Sequence, residues 1–164
     1  MQDLPRSVKL VTVWLLLGLV VFLGVQTWQH RAAQTRFSIA GDSIEIRRGP
    51  DGHYHWPGSI NGRAVDFLID TGATGTAISA ALAEELGLAS LGTVRSATAG
   101  GLVTGQVVSA DLRLQGGVQV DRLRLVALPG LGDRPLLGMD VLGRLRWSQE
   151  AGILRIDKAG RPPG

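Results

Sequence analysis

The sequence predicts an all-β domain, a small closed barrel with two short helices, carried behind a single apolar N-terminal helix. Three observations predict it. Most of the chain after residue 42 alternates apolar and polar residues with a period of two, as half-buried strands do. Glycine-rich turns punctuate the alternation at short intervals, which favours a barrel of short strands over a βαβ sheet. Residues 10–28 stand apart from the rest, with no charge and few polar side chains.

From Leu10 to Trp28 the chain has the composition of a lipid-facing helix, with Trp14 and Trp28 towards its two ends. At about 1.5 Å per residue this stretch spans roughly 28 Å, enough to cross a thin hydrocarbon core. It is longer than a signal-peptide core and exits through Gln26-Thr27-Trp28-Gln29-His30-Arg31, without an A-x-A-like cleavage site. The reading is an uncleaved anchor over 10–28 with a short flank at 1–9. Arg6 and Lys9 before the run nearly balance Arg31 and Arg36 after it, so charge tilts only slightly towards a domain outside the cytoplasm.

Residues 29–42 are mixed polar and read as a short tether whose end can form the first strand. The following segment, 43–158, holds enough chain for one hydrophobic core but not for two lobes, and 159–164 read as a frayed tail. Ser43-Ile44-Glu45-Ile46-Arg47 alternates, and Gly49-Pro50-Asp51-Gly52 turns the chain. His53 to Ile60 and Arg63 to Ile69 form a hairpin about Asn61-Gly62, a pair suited to the mirror-image turn. In the returning strand Val65, Phe67 and Ile69 share one face, while Ala64, Asp66 and Leu68 share the other.

Ser79 is placed to cap a helix over Ala80–Leu86, and Gly87 to end it. Strands follow over Val94–Thr98, Thr104–Leu114 and Val118–Leu128, turning at Ala99-Gly100-Gly101 and Gly116-Gly117. A second helix is expected from Met139 to about Leu145, and a closing strand over Gly152–Asp157.

Composition removes several classes of function. The net charge of +3 arises from arginines scattered among acids, with no basic run and few aromatics, so no nucleic-acid surface is expected. The absence of cysteine excludes thiolate catalysis and cysteine-based zinc sites. His53 and His55 share a strand face, but a third histidine exists only at His30, so no metal site is expected. Asp66 and Asp70 lie about 13 Å apart along one strand, too far for a glycosidase pair. Trp56 and Trp147 read as core residues.

The chemically pointed segment is Val65-Asp66-Phe67-Leu68-Ile69-Asp70-Thr71-Gly72-Ala73-Thr74, an apolar strand that stops at a carboxylate followed by Thr-Gly. Such a glycine lets backbone N–H groups turn towards the carboxylate oxygens. Aspartate also opens ordinary turns at strand ends, so the triplet alone leaves both readings open. A second segment agrees with the first: Pro135-Leu136-Leu137-Gly138 runs into Met139-Asp140-Val141-Leu142.

Together the two segments resemble the active-site loop and the apolar-apolar-Gly step into a helix of single-lobe retropepsin-like aspartic peptidases. The chain as a whole resembles bacterial, membrane-anchored members of that clan. The likeness covers Ser59 to Ile156. It implies Asp70, Thr71 and Gly72 as the catalytic loop, with Thr71 linking two such loops, and Ala73 and Thr74 beside the substrate. It also implies a flap over Ser96–Gly105, with Ala99, Gly100 and Gly101 at the substrate. The expected activity is hydrolysis of an extended polypeptide, without a cofactor.

Peptide hydrolysis of this kind needs one carboxylate to take a proton from water and a neighbouring carboxylic acid to polarise the scissile carbonyl. The chain carries one Asp-Thr-Gly, so a homodimer is the expected completion. The location expected from anchor and resemblance is the bacterial inner membrane, with the domain in the periplasm. A catalytically idle module of the same fold, binding peptides or assembling membrane proteins, is the alternative that fold alone leaves open.

Overall fold

The computed structural model describes residues 14–19, 21–22, 37–41, 43–98 and 101–157. The chain divides into two compact units, Met1–Thr35 and Arg36–Gly164.

In the first unit, residues 14–19 and 21–22 are helical. The large apolar side chains there are all more than half exposed, from Trp14 at 67% to Phe22 at 62%. Among the described residues no helix is long and apolar enough to cross a membrane. Most of the anchor expected over 10–28 lies outside the described residues, as do the flank 1–9 and the tail 159–164.

Among its described residues the second unit has eleven strands and two helices. In order they are β1 (Phe37–Ala40), β2 (Ser43–Arg47), β3 (His55–Ile60), β4 (Arg63–Ile69), β5 (Ala77–Ser79), α1 (Ala80–Glu85), β6 (Gly92–Thr98), β7 (Gly101–Leu114), β8 (Gln119–Leu128), β9 (Leu136–Leu137), α2 (Met139–Leu142), β10 (Arg146–Glu150) and β11 (Ile153–Asp157). They form a four-stranded sheet, β1-β2-β11-β10, and a seven-stranded sheet, β3-β4-β9-β5-β8-β7-β6. In place of the single closed barrel expected there are thus two sheets. In the larger one β3 also pairs with β7, so six of its strands pair in a circuit and β6 hangs outside it.

One apolar core serves both sheets. Trp56 and Phe67 from the larger sheet and Ile44, Ile46 and Ile156 from the smaller are completely buried. Each such side chain contributes roughly 1.5–3 kcal/mol by leaving water. The alternation read in Ser43–Arg47 and Arg63–Ile69 is visible here, with Ile44, Ile46, Phe67 and Ile69 turned inward. The indole N–H of Trp56 donates to the Gln115 carbonyl at 2.8 Å, which removes the cost of burying it.

One glycine lets β3 close on β7. Gly58 stands opposite Leu114, and a Cβ there would lie 2.5 Å from the Arg113 carbonyl oxygen. Asn61 and Gly62 take positive φ values of 48° and 84°, the hairpin geometry expected of them. The Asn61 side chain also accepts from the Asp111 N–H at 2.8 Å, where the β7–β8 ladder is irregular between Ala110 and Leu112.

Several boundaries differ from the sequence reading. β1 takes up the end of the stretch read as tether, and pairs with β2 through its backbone. The second helix stops at Leu142, because Gly143 caps it and the chain then enters β10, a strand that was not anticipated. α1 is closer to expectation: the Ser79 hydroxyl accepts from the Leu82 N–H at 3.2 Å, and Gly87 follows the helix with φ 62°.

Candidate active site

Strand β4 ends at Ile69, a buried residue, and delivers Asp70 to the edge of the core as a half-buried carboxylate. The Asp70 N–H donates to the Leu137 carbonyl at 3.0 Å, and its own carbonyl accepts from the Ala73 N–H at 3.2 Å. The Gly72 N–H donates to Asp70 Oδ1 at 2.9 Å and fixes the carboxylate's rotation. A Cβ on Gly72 would sit 3.3 Å from that oxygen, so the loop fits closely around it. Thr71, Gly72 and Thr74 are exposed on the domain surface.

The two motifs read from the sequence meet here. β9 lies between β4, which it joins in parallel, and β5, which it joins antiparallel. The loop after Asp70 therefore folds over the end of β9. Gly138, at that end, touches the loop so closely that a Cβ would lie 2.4 Å from the Gly75 carbonyl carbon and 2.9 Å from the Thr76 nitrogen. No side chain fits between them.

Helix α2 starts without a side-chain cap. Its first amides are satisfied by the loop after Asp70 instead: Met139 N–H donates to the Ala73 carbonyl at 2.9 Å and Asp140 N–H to the Thr74 carbonyl at 3.1 Å. The Asp140 carboxylate returns the contact. One oxygen accepts from the Thr76 N–H at 3.0 Å and the other from the Thr76 hydroxyl at 2.7 Å, while that hydroxyl accepts from the Gly138 N–H at 3.2 Å.

Thr76 is completely buried, the one polar residue so placed among the described residues. Its side chain both donates and accepts, which valine could not do. Sequence reasoning quoted Asp140 but gave it no role. Its signal was an acid in the first turn of a helix following a glycine step, a weak pattern until its partner across the fold is known.

The expected flap corresponds to the β6–β7 hairpin, whose register runs from Gly92 opposite Val107 to Thr98 opposite Gly101. Ala99 and Gly100, expected at the substrate, lie outside the described residues; Gly101 begins β7 with φ 109°. Leu102 is 75% exposed near the tip.

His53 and His55 do not form a pair of surface imidazoles. β3 begins only at His55, whose Nε2 lies 2.7 Å from Asp51 Oδ2. Its Nδ1 is 3.2 Å from Asp66 Oδ2, within ion-pair range but not aligned as a hydrogen bond. Arg134 also reaches Asp51, at 3.2 Å. Burial opposes ionisation of Asp51, but the His53 N–H and the His55 ring outweigh it and hold the carboxyl below its ordinary value. The cluster ties the 49–52 turn to the outer face of β4, so Asp66 is engaged there and not directed at Asp70's loop.

Residues 56–144 match the family model described as gag-polyprotein putative aspartyl protease. No curated protein matches. Among solved structures, the crystal structure of a retropepsin-like aspartic protease from Rickettsia conorii is similar, with a TM-score of 0.56 and 24% identity over 74% of this chain and 94% of that one. At that identity the likeness speaks for the fold. The family match spans more than half of the sequence and includes both the Asp70 loop and the Gly138 step that braces it, and the chain therefore belongs to the family of retropepsin-like aspartic proteases.

Proposed function

We propose that the protein is a membrane-anchored aspartic endopeptidase whose active site is completed by a second copy of the chain. The observation that carries this reading is Asp70 itself: one carboxylate, oriented by the Gly72 N–H in a braced and exposed loop, in a domain with room for a single lobe. Two such loops facing each other across a two-fold axis would bring the Asp70 carboxylates together. At that separation like charges share one proton, so the pair holds one base and one acid.

The base takes a proton from water as the water oxygen attacks the scissile carbonyl carbon, and the acid donates its hydrogen to the carbonyl oxygen. When the tetrahedral species collapses, the C–N bond breaks, the amine leaves with a proton from the dyad, and one hydroxyl returns its proton to the dyad as the carbonyl re-forms. The products are one carboxylic acid and one amine, with water consumed. Thr71 would link the two loops through its hydroxyl, and Ala73 and Thr74 would border an extended polypeptide. The hairpin over Ser96–Gly105, with Ala99, Gly100 and Gly101 at its tip, would close on that peptide and exclude water.

Residues 10–28 serve as the anchor in this reading, in a bacterial inner membrane with the domain in the periplasm. The exposed apolar side chains between Trp14 and Phe22 support lipid contact, since water would penalise such a surface. Holding two chains in one membrane raises their effective concentration.

The test is dilution. Activity per chain should fall as the full-length protein is diluted, and a version lacking residues 1–35 should lose it at concentrations roughly 10²-fold higher. Both should recover when concentrated. Activity per chain that stays constant for both, down to the assay limit, would reject the proposal.

A further inference from the structure

β6 and β7 run together as a hairpin, from Gly92 opposite Val107 to Thr98 opposite Gly101. β8 accompanies β7 only as far as Gln106, which stands opposite Ala127. From Gly105 towards the tip, no further strand among the described residues pairs with the hairpin. Gly105 is therefore where the hairpin leaves the body of the domain, and it is buried there.

A Cβ on Gly105 would lie 2.7 Å from Leu128 Cδ2, 2.8 Å from the Ala127 carbonyl oxygen and 3.0 Å from Val126 Cγ1. Gly105 does not take a positive φ, so its backbone conformation makes no demand for glycine. Glycine inside a strand weakens it and marks a place where another backbone comes close. What the position requires is the absence of a side chain.

The three residues that Gly105 rests on are fixed to the Asp70 loop from their other side. β8 lies between β7 and β5 in the sheet. Val126 pairs with Ala77 and Leu128 with Ser79, and the Val126 N–H donates to the carbonyl of buried Thr76 at 3.0 Å. Thr76 is the residue held by the Asp140 carboxylate. One strand thus separates the base of the hairpin from the strand that leaves the Asp70 loop, a span of about 10 Å.

Granting the reading above, in which this hairpin covers the peptide, we infer that Gly105 is a positioning residue for the reaction: by seating β7 directly on residues 126–128 it sets the height of the hairpin over Asp70. Carbon and oxygen approach to about 3.3 Å, so a methyl group at 105 moves β7 off the Ala127 carbonyl by roughly half an ångström. Leu128 Cδ2 can turn aside, but the carbonyl belongs to a paired strand. Tilting over one strand spacing, the hairpin carries Leu102, roughly 10 Å further along, outward by about 1 Å. A misplacement of that size can cost about 10²-fold in rate.

The test is the steady-state kinetics of Gly105→Ala in the full chain, with a peptide that wild type cleaves in an Asp70-dependent way, at a concentration where wild type is fully paired and a temperature where the variants are folded. KM should rise roughly tenfold while kcat stays within about twofold, the pattern of binding lost equally from ground and transition states. Adding Leu128→Ala removes the nearest obstructing atom and should bring KM part of the way back, although Leu128→Ala alone deletes a buried side chain and lowers the melting temperature. A role confined to stability predicts no such recovery. Leu128→Phe crowds the same contact from the β8 side and should raise KM with Gly105 intact, and it carries the test if Gly105→Ala does not fold.

Wild-type KM in the folded variant, or a fall in kcat at unchanged KM, would overturn the assignment and leave the peptidase standing. If wild type shows no Asp70-dependent cleavage, the peptidase reading fails and the role of Gly105 with it.

Discussion

Asp70→Asn removes peptide hydrolysis, with kcat/KM reduced by roughly 10³-fold or more, while the domain keeps its fold. Asparagine has the same shape and retains an oxygen for the Gly72 N–H, which donates to Oδ1 at 2.9 Å. What it loses is the ability to exchange a proton with water or to share one with a partner. The check is cleavage of a mixed peptide library by the purified variant, with its melting temperature and sedimentation measured alongside. Cleavage at the wild-type rate would assign the hydrolysis elsewhere and favour the idle peptide-binding module.

Asp140→Ala has the largest expected effect on stability. The change strips two hydrogen bonds from Thr76, which is completely buried, and leaves its N–H without an acceptor. Such a loss costs about 3 kcal/mol, seen as a fall of roughly 10 °C in melting temperature. Activity should fall further than stability alone explains, because the same contacts hold α2 against the loop that carries Asp70. Thr76→Val should reproduce part of the loss, keeping the N–H bond while removing the hydroxyl. Thermal melts and kinetics at a temperature where all variants are folded would measure both. An Asp140→Ala protein with native melting and turnover would show that the brace is dispensable.

These two aspartates also mark what the sequence disclosed and what it withheld. Asp70 was legible because an apolar alternating strand ran straight into it and a glycine followed two residues later. The Asn61-Gly62 turn and the Ser79 cap were legible for the same reason: local chemistry fixes local geometry, and each structure depends on neighbours within a few positions. Asp140 acts on Thr76, 64 residues away in the chain, and no local pattern encodes that distance. β9 is two residues long, too short to show any period, although it carries the link between the two motifs.

β10 was hidden for a different reason. Of its five residues only Trp147 is apolar, and the other four are exposed, so the apolar alternation that reveals a half-buried strand is nearly absent. Without β10, the four-stranded sheet could not be recognised as a layer separate from the six-strand circuit.

If each active site needs the Asp70 of two chains, subunit mixing measures that need directly. Wild-type and Asp70→Asn chains, dissociated by dilution and reassociated together in equal amounts, should retain about one quarter of the activity of the same total amount of wild-type chain, because only dimers with two intact aspartates work. Varying the proportion should trace the square of the wild-type fraction. A retained activity of about one half, linear in that fraction, would mean that one chain forms a working site on its own.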